Sequence, residues 1–76
     1  MPHVILKMYA GRTDEQKRRL ADALAKAVMS AGGASEDSIS VAIEDVAPAD
    51  WFAKVYEPDI AGKPELIFKK PGYGPR

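Results

Sequence analysis

Proline at position 2 offers the most distinctive chemistry in this chain of 76 residues. Methionine followed by proline is a usual context for removal of the initiator methionine, and removal would leave Pro2 as a secondary amine. An ordinary α-amino group has a pKa of about 7.7–8.0, and burial in an apolar site or nearby cations would lower the pKa of this amine. A neutral prolyl nitrogen can accept a proton as a general base and return it as a general acid. With Met1 attached, the nitrogen is not basic and this chemistry stops.

The other candidate residues have simpler interpretations. His3 is typical of a partly exposed strand residue rather than of a catalytic base. Glu44 and Asp45 are adjacent at the end of a predicted strand and point to opposite faces, which disfavours a shared acid/base pair. Trp51 and Phe52 are typical of a core or an interface.

Two strands and a helix must position these residues. Alternation of apolar side chains over residues 3–9 predicts the first strand. A capping box from Thr13 to Gln16 predicts the start of an amphipathic helix over 14–31. Alternation resumes over residues 39–43, so the second strand comes after the helix. Strand, helix and strand make a βαβ unit, in which the two strands are parallel.

The remainder of the chain is less regular. One helix covers one face of a parallel sheet, and because such sheets are normally covered on both faces, the second face is expected to meet another subunit. Residues 48–56 predict a short helix opened by a proline, and Pro58 is expected to prevent its continuation. Residues 65–68 predict either a short strand or a helical turn. The tail from Lys69 onward must dock if it is to be ordered.

Composition limits the class of protein. The chain is 46% hydrophobic, which predicts one globular domain over residues 1–76. Eleven Lys+Arg balance eleven Asp+Glu, which argues against a nucleic acid or a membrane surface as partner. The absence of cysteine excludes disulfides and thiolate sites, and one His leaves little for a metal cluster. With no targeting signal recognised, the cytoplasm is the expected location. A chain this short usually needs a second subunit to complete its core.

Several short motifs of the first half occur together: Pro2, the strand after it, Gly11-Arg12, Thr13–Lys17 and Ser38–Ile43. In combination they resemble the 4-oxalocrotonate tautomerase family over about the first 50 residues, with a spacing of ten between Pro2 and Arg12. Other features are more similar to the PptA-like branch, which is associated with phenylpyruvate-type enols: Pro2-His3, Ser40, Trp51 and the ending Lys69–Tyr73.

The resemblance implies an α/β protein of the βαβ tautomerase fold, with a parallel two-stranded sheet, one long helix and a short C-terminal helix in each subunit. It implies an isomerase that catalyses keto–enol tautomerisation without a cofactor or metal. Pro2 would be the catalytic amine that moves a proton between the enol oxygen and a carbon. Arg12 would bind the substrate carboxylate, and a cation close to a helix N-terminus also suits an anion. Trp51 would line the pocket, and His3 and Ser40 would form hydrogen bonds near the site.

The sequence also departs from the founding enzymes of that family. Ser40 stands where they carry a second arginine, which favours a monoacid with an apolar or aromatic tail over a dicarboxylate. The longer C-terminal segment favours a homodimer, with a hexamer as the alternative. Two other functions remain open: a hydratase or dehalogenase of the same superfamily, and a non-catalytic oligomeric binding module that retains Met1.

Overall fold

A computed structural model describes residues 1–75 and contains the expected βαβ unit. Its elements are, in chain order, the strand β1 (His3–Tyr9), the helix α1 (Asp14–Gly32) and the strand β2 (Ser40–Val46). The strands are parallel neighbours, and their register pairs His3 with Ser40 at one end and Tyr9 with Val46 at the other. The second strand therefore extends past the predicted end at residue 43. Pairing with β1 continues through Glu44 and Asp45, whose polar side chains interrupt the apolar alternation from which the strand was predicted.

Helix α1 begins and ends on local signals that the sequence carries. The Thr13 hydroxyl accepts a hydrogen bond from the Gln16 backbone N–H at 3.1 Å, and the Gln16 side chain accepts one from the Thr13 N–H at 2.9 Å. These two bonds are the predicted capping box. At the other end Gly33 has a φ of 71°, and its N–H donates to the Met29 carbonyl at 3.1 Å. The helix is one residue longer than predicted, because only Gly33 adopts the left-handed conformation that ends it and Gly32 remains helical.

The chain after β2 is more helical than its prolines suggested. A 3₁₀ turn, Pro48–Asp50, leads through Trp51 into a π-helix, Phe52–Ala61, which we call the C-terminal helix. The helix predicted over 48–56 is therefore too short, since Pro58 lies inside the helical segment. In an α-helix a proline ring collides with the carbonyl four residues earlier, and the wider turn of a π-helix relieves that contact.

The tail of the chain folds back onto the C-terminal helix. The 3₁₀ turn Pro64–Leu66 resolves the alternatives for residues 65–68 in favour of a helical turn. Ile67 and Pro71 are half-buried in a groove that they share with side chains of the C-terminal helix, whereas Phe68 is 97% exposed. The tail is therefore docked on its own chain.

The two faces of the sheet have different neighbours. Helix α1 packs against one face, where Lys17 Nζ lies 2.5 Å from the Asp45 carboxylate. The C-terminal helix lies against the other face, where Lys7 Nζ lies 2.5 Å from the Asp59 carboxylate. We expected the second face of the sheet to be covered only by another subunit. That prediction is wrong in part, because the C-terminal helix of the same chain packs there. That cover is incomplete, because Ile5 on the same face is 52% exposed.

The chain buries little apolar surface. Among the described residues, only Val46 and Val55 are nearly inaccessible, at 9% and 5% exposed. The accessible surface is 5841 Å², whereas a folded monomer of this mass exposes about 4,500 Å². The radius of gyration is 13.8 Å, against about 11.4 Å for a self-contained domain of this length. Within residues 1–75, no helix has the length and apolar character needed to cross a bilayer.

Candidate active site

Pro2, His3 and Ser40 meet where both strands begin, and we call these three residues the amino edge. The backbone N–H of Ser40 donates to the Pro2 carbonyl at 3.2 Å, and His3 Nδ1 lies 2.6 Å from the Ser40 hydroxyl. The strand register brings them together, because it sets His3 opposite Ser40. Pro2 is half-buried, whereas Met1 projects into solvent. Removal of Met1 would leave a secondary amine at Pro2, the residue that precedes His3 in the chain.

Tyr9, Arg12 and Trp51 lie where both strands end, and we call them the carboxyl edge. Trp51 comes after β2 and packs edge-on against Tyr9, with ring centroids 5.4 Å apart. Arg12 is exposed in the loop between β1 and α1. In the part of the chain that the structure describes, no carboxylate forms an ion pair with Arg12. Its exposed guanidinium therefore has no anionic partner within residues 1–75.

An aromatic cleft opens beside Trp51. Its volume is about 460 Å³, and it is lined by Tyr9, Trp51, Phe52, Tyr73 and Gly74. The indole N–H of Trp51 donates to the Tyr73 hydroxyl at 2.9 Å, and the Tyr73 ring contacts Phe52 edge-on at 6.1 Å. The sequence predicted Trp51 as a pocket wall, and the structure places it in one. The sequence predicted no role for Tyr73, because nothing in the spacing of the tail connects that residue to Trp51.

One chain does not bring all the predicted site residues together. Pro2 lies at the amino edge and Arg12 at the carboxyl edge, with the seven residues of β1 between them. A strand rises about 3.3 Å per residue, so the two edges are about 20 Å apart. An amine and a guanidinium at that distance cannot contact one small acid.

The carboxylates near the sheet are engaged elsewhere. Glu44 lies 4.0 Å from Lys7 on one face and Asp45 lies 2.5 Å from Lys17 on the other, so the two side chains point to opposite faces as predicted. The hydrogen bond from Lys7, helped by the lysine charge, holds the pKa of Asp59 below its ordinary value. The same hydrogen bond and the charges of Asp59 and Glu44 raise the pKa of Lys7 against the opposing effect of desolvation. Across residues 1–75, no three acidic or histidine side chains converge to hold a metal ion.

Comparison with known proteins assigns the family. A family model described as "Tautomerase enzyme" matches residues 2–56, which is more than half of the chain and starts at Pro2. The chain belongs to the tautomerase family. The likeness recognised from the short motifs is thereby confirmed, as is the βαβ tautomerase fold. Tautomerases are isomerases, so this tautomerase is an enzyme of that class.

Curated relatives extend the match along the chain. The tautomerase is 46% identical to a probable tautomerase of Xylella fastidiosa (strain 9a5c), over 97% of its own length and 90% of that protein. It is 38% identical to tautomerase PptA of Enterobacter sp. (strain 638), over 96% of its own length and 97% of that protein. It is 52% identical to 2-hydroxymuconate tautomerase of Bacillus subtilis (strain 168), over 60% of its own length and 74% of that protein. The PptA likeness thus covers nearly the whole chain, whereas the muconate tautomerase likeness does not.

Proposed function

We propose that this tautomerase, once Met1 is removed, interconverts the enol and keto forms of a phenylpyruvate-like 2-oxo monoacid without a cofactor. The position of Pro2 carries the proposal. Pro2 is the first residue of the family match and stands half-buried at the start of β1. Its carbonyl accepts a hydrogen bond from the Ser40 N–H, which holds the Cα that bears the ring nitrogen at the start of the sheet.

The reaction needs only proton transfer. In the direction of the keto acid, the neutral Pro2 nitrogen takes the proton of the enol hydroxyl, and the oxygen electron pair forms the carbonyl at C2. The electrons of the C2–C3 double bond then take up the proton that the prolinium ion returns at C3. One O–H bond breaks and one C–H bond forms, so the free amine is regenerated.

Arg12 binds the substrate carboxylate in this proposal. A guanidinium forms two parallel hydrogen bonds with a carboxylate, which fixes the acid in one orientation. The bound cation also draws electron density towards the carboxylate and so stabilises the developing enolate. Asp14 and Glu15 already occupy the first turn of α1, so the guanidinium and not the helix dipole supplies the attraction.

The complete site is shared between copies of the chain. Two observations support this: the separation of about 20 Å between Pro2 and Arg12 along β1, and an accessible surface about 1,300 Å² larger than a self-contained domain of this mass exposes. A homodimer that sets the amino edge of one chain against the carboxyl edge of the other satisfies both. We favour the dimer over a hexamer because the tail is folded back on its own chain.

The substrate has one carboxylate and an apolar or aromatic tail. Ser40 supplies no second cation at the amino edge, and its hydroxyl is paired with His3 instead. That pair serves as a source of hydrogen bonds for the substrate oxygen. The aromatic cleft beside Trp51 suits a ring. The near full-length likeness to PptA, a protein named only as a tautomerase, supports the tautomerase activity and does not distinguish between substrates. A cytoplasmic location stays a prediction from the sequence.

The decisive experiment is the variant Pro2→Ala. Ketonisation of phenylenolpyruvate, measured by ultraviolet absorbance, is expected to fall at least about 100-fold, because the ring-held secondary amine is replaced by a more mobile primary amine. Circular dichroism should show an unchanged fold, since a half-buried terminal side chain is replaced by a smaller one. Turnover at the wild-type rate would remove Pro2 from the mechanism.

Intact-mass measurement of the native protein decides whether the amine exists. A mass without Met1 supports the enzyme, and a mass with Met1 supports the binding module. A hydratase or dehalogenase would release halide from a haloacrylate. Such enzymes need a carboxylate to activate water, and Glu44 and Asp45 are paired with lysines instead.

A further inference from the structure

The tail of the chain builds one wall of the aromatic cleft. Tyr73 is 22 residues beyond Trp51, yet its hydroxyl accepts the indole N–H at 2.9 Å. Its ring also packs at 5.8 Å from that of Tyr56 and at 6.1 Å from that of Phe52. These contacts cross from the tail to the C-terminal helix. Tyr73 therefore holds the indole of Trp51 in one orientation.

The anchoring of the tail explains how Tyr73 reaches this position. Ile67 and Pro71 are half-buried in a groove that Tyr56 and Ile60 also line. Phe68 lies between these two anchors in the sequence and is 97% exposed. The chain is thus held on both sides of a solvent-facing residue, and the second anchor leads directly to Tyr73.

The chemistry of the cleft selects for an aromatic ring. Its volume of about 460 Å³ lies within the range of small-molecule pockets, and within residues 1–75 no charged side chain lines it. Aromatic rings favour edge-on and offset contacts with one another, which an aliphatic chain does not reproduce. Because Trp51 already donates its N–H to Tyr73, the cleft presents no indole donor that an apolar ligand would leave unpaired.

We propose that Tyr73 is a specificity-determining residue, which positions Trp51 so that the cleft accepts the ring of an aryl 2-oxo acid in preference to an aliphatic chain. This inference rests on the proposed function, because it takes the carboxylate of that acid to lie at Arg12, three residues beyond Tyr9 in the same edge. Tyr73 acts through Trp51 and is a positioning residue, not a catalytic one.

The test uses binding without turnover. Trp51 is the only tryptophan, so its fluorescence reports on the cleft directly. In a Pro2→Ala background, 3-phenylpropionate is expected to change the Trp51 emission and to bind at least about tenfold more tightly than hexanoate. Tyr73→Phe, which keeps the ring and removes the acceptor of the Trp51 N–H, should reduce that preference about fivefold. Tyr73→Ala should reduce it further.

Phe68→Leu provides the matched control in the same tail, because Phe68 is exposed and outside the cleft. This variant should keep both the Trp51 emission and the aryl preference. With the intact Pro2 amine, Tyr73→Phe should raise KM for phenylenolpyruvate, leave kcat nearly unchanged, and have little effect on an aliphatic enolpyruvate. Equal binding of the two acids, or a preference that survives both Tyr73 variants, would overturn the inference.

The outcomes separate this inference from the proposed function. Aryl preference with no ketonisation by the mature protein would leave the role of Tyr73 in place and remove the catalytic role of Pro2. Ketonisation with no aryl preference would leave the catalytic role of Pro2 in place and remove the specificity role of Tyr73.

Discussion

Pro2 and Arg12 lie at opposite ends of one strand, with β1 (His3–Tyr9) between them. The strand holds the two residues about 20 Å apart, and nothing in a parallel two-stranded sheet can fold one end onto the other. In the proposed mechanism, Pro2 would supply the amine at one edge and Arg12 the cation at the other once Met1 is removed. Under that proposal each chain carries two half-sites, and the association of chains decides whether a complete site forms.

Mixing two impaired variants should restore part of the activity when the substrate concentration is below KM. Pro2→Ala and Arg12→Ala, refolded together in equal amounts, form mixed dimers in which one of the two sites has both residues intact. Half of the dimers are mixed under random association, so activity should return to about a quarter of the wild-type value. The measurement is ketonisation of phenylenolpyruvate at fixed total protein. Each variant refolded alone is the control, and a mixture as inactive as its components would mean that the site is not shared.

Arg12 should govern substrate binding more than the proton transfer. Arg12→Ala is expected to raise KM for a 2-oxo acid at least about tenfold, because a paired hydrogen bond to the carboxylate is lost. Arg12→Lys keeps the charge without the paired geometry and should recover only part of the loss. Arg18→Ala removes an exposed arginine from α1 and should leave steady-state kinetics unchanged. Equal KM values for Arg12→Ala and Arg18→Ala would contradict the role.

The ion pair between Lys7 and Asp59 should make stability depend on pH. Because the folded state lowers the pKa of Asp59, the pair stabilises the fold above the ordinary carboxyl pKa of 3.8, and the contribution is lost as the pH falls through the lowered value. Because the folded state raises the pKa of Lys7, the contribution on that side is complete below 10.5 and is lost as the pH rises through the raised value.

The melting temperature of Asp59→Asn should therefore be lower than that of the wild type at pH 7, and the difference should shrink towards zero below pH 3.8. Thermal unfolding at one fixed protein concentration measures this, since association also affects stability. Glu15→Gln is the control, because Glu15 pairs with Arg19 in a fully solvated position on α1. A difference for Asp59→Asn that stays constant from pH 7 to pH 3 would exclude the pair as its source.

Gly62 should tolerate no side chain. A Cβ at this position would lie 2.7 Å from the Glu57 carbonyl oxygen and 3.0 Å from that of Pro58, and both are backbone atoms. Gly62→Ala should therefore lower the free energy of unfolding by about 1–3 kcal/mol. Urea denaturation at fixed concentration measures the loss. Gly72→Ala, with no atom within 4 Å of the added carbon, should stay close to wild type.

The parts of the fold that were predictable rest on short-range signals. The capping box joins Thr13 to Gln16 within four residues, and alternation along β1 shows in consecutive side chains. The place of Pro58 inside a helix was not predictable, because a proline signals the end of an α-helix and the local pattern does not reveal a change to a wider helix. The tail was beyond prediction, because the bond from Trp51 to Tyr73 joins residues 22 positions apart.

The candidate site also has a part that the sequence predicted and a part that only the folded sheet reveals. Pro2 was predicted from its residue type and position and Arg12 from the family resemblance, and the register that joins His3 to Ser40 is a consequence of parallel pairing. The separation of the two edges is a property of the folded sheet. Because of this separation, the predicted site residues fall into two groups, one at each edge of the sheet, and the two groups do not meet within one chain.

The length of β1 has an evolutionary consequence. Because side chains alternate between the two faces, inserting one residue in the middle of the strand would turn Lys7 and Tyr9 away from Asp59 and Trp51. The same insertion would also alter the distance between the two half-sites. Insertions and deletions should therefore be rare before residue 10 and frequent after residue 61, so that new substrate preferences arise by lengthening, shortening or exchanging the tail while the strand is left alone.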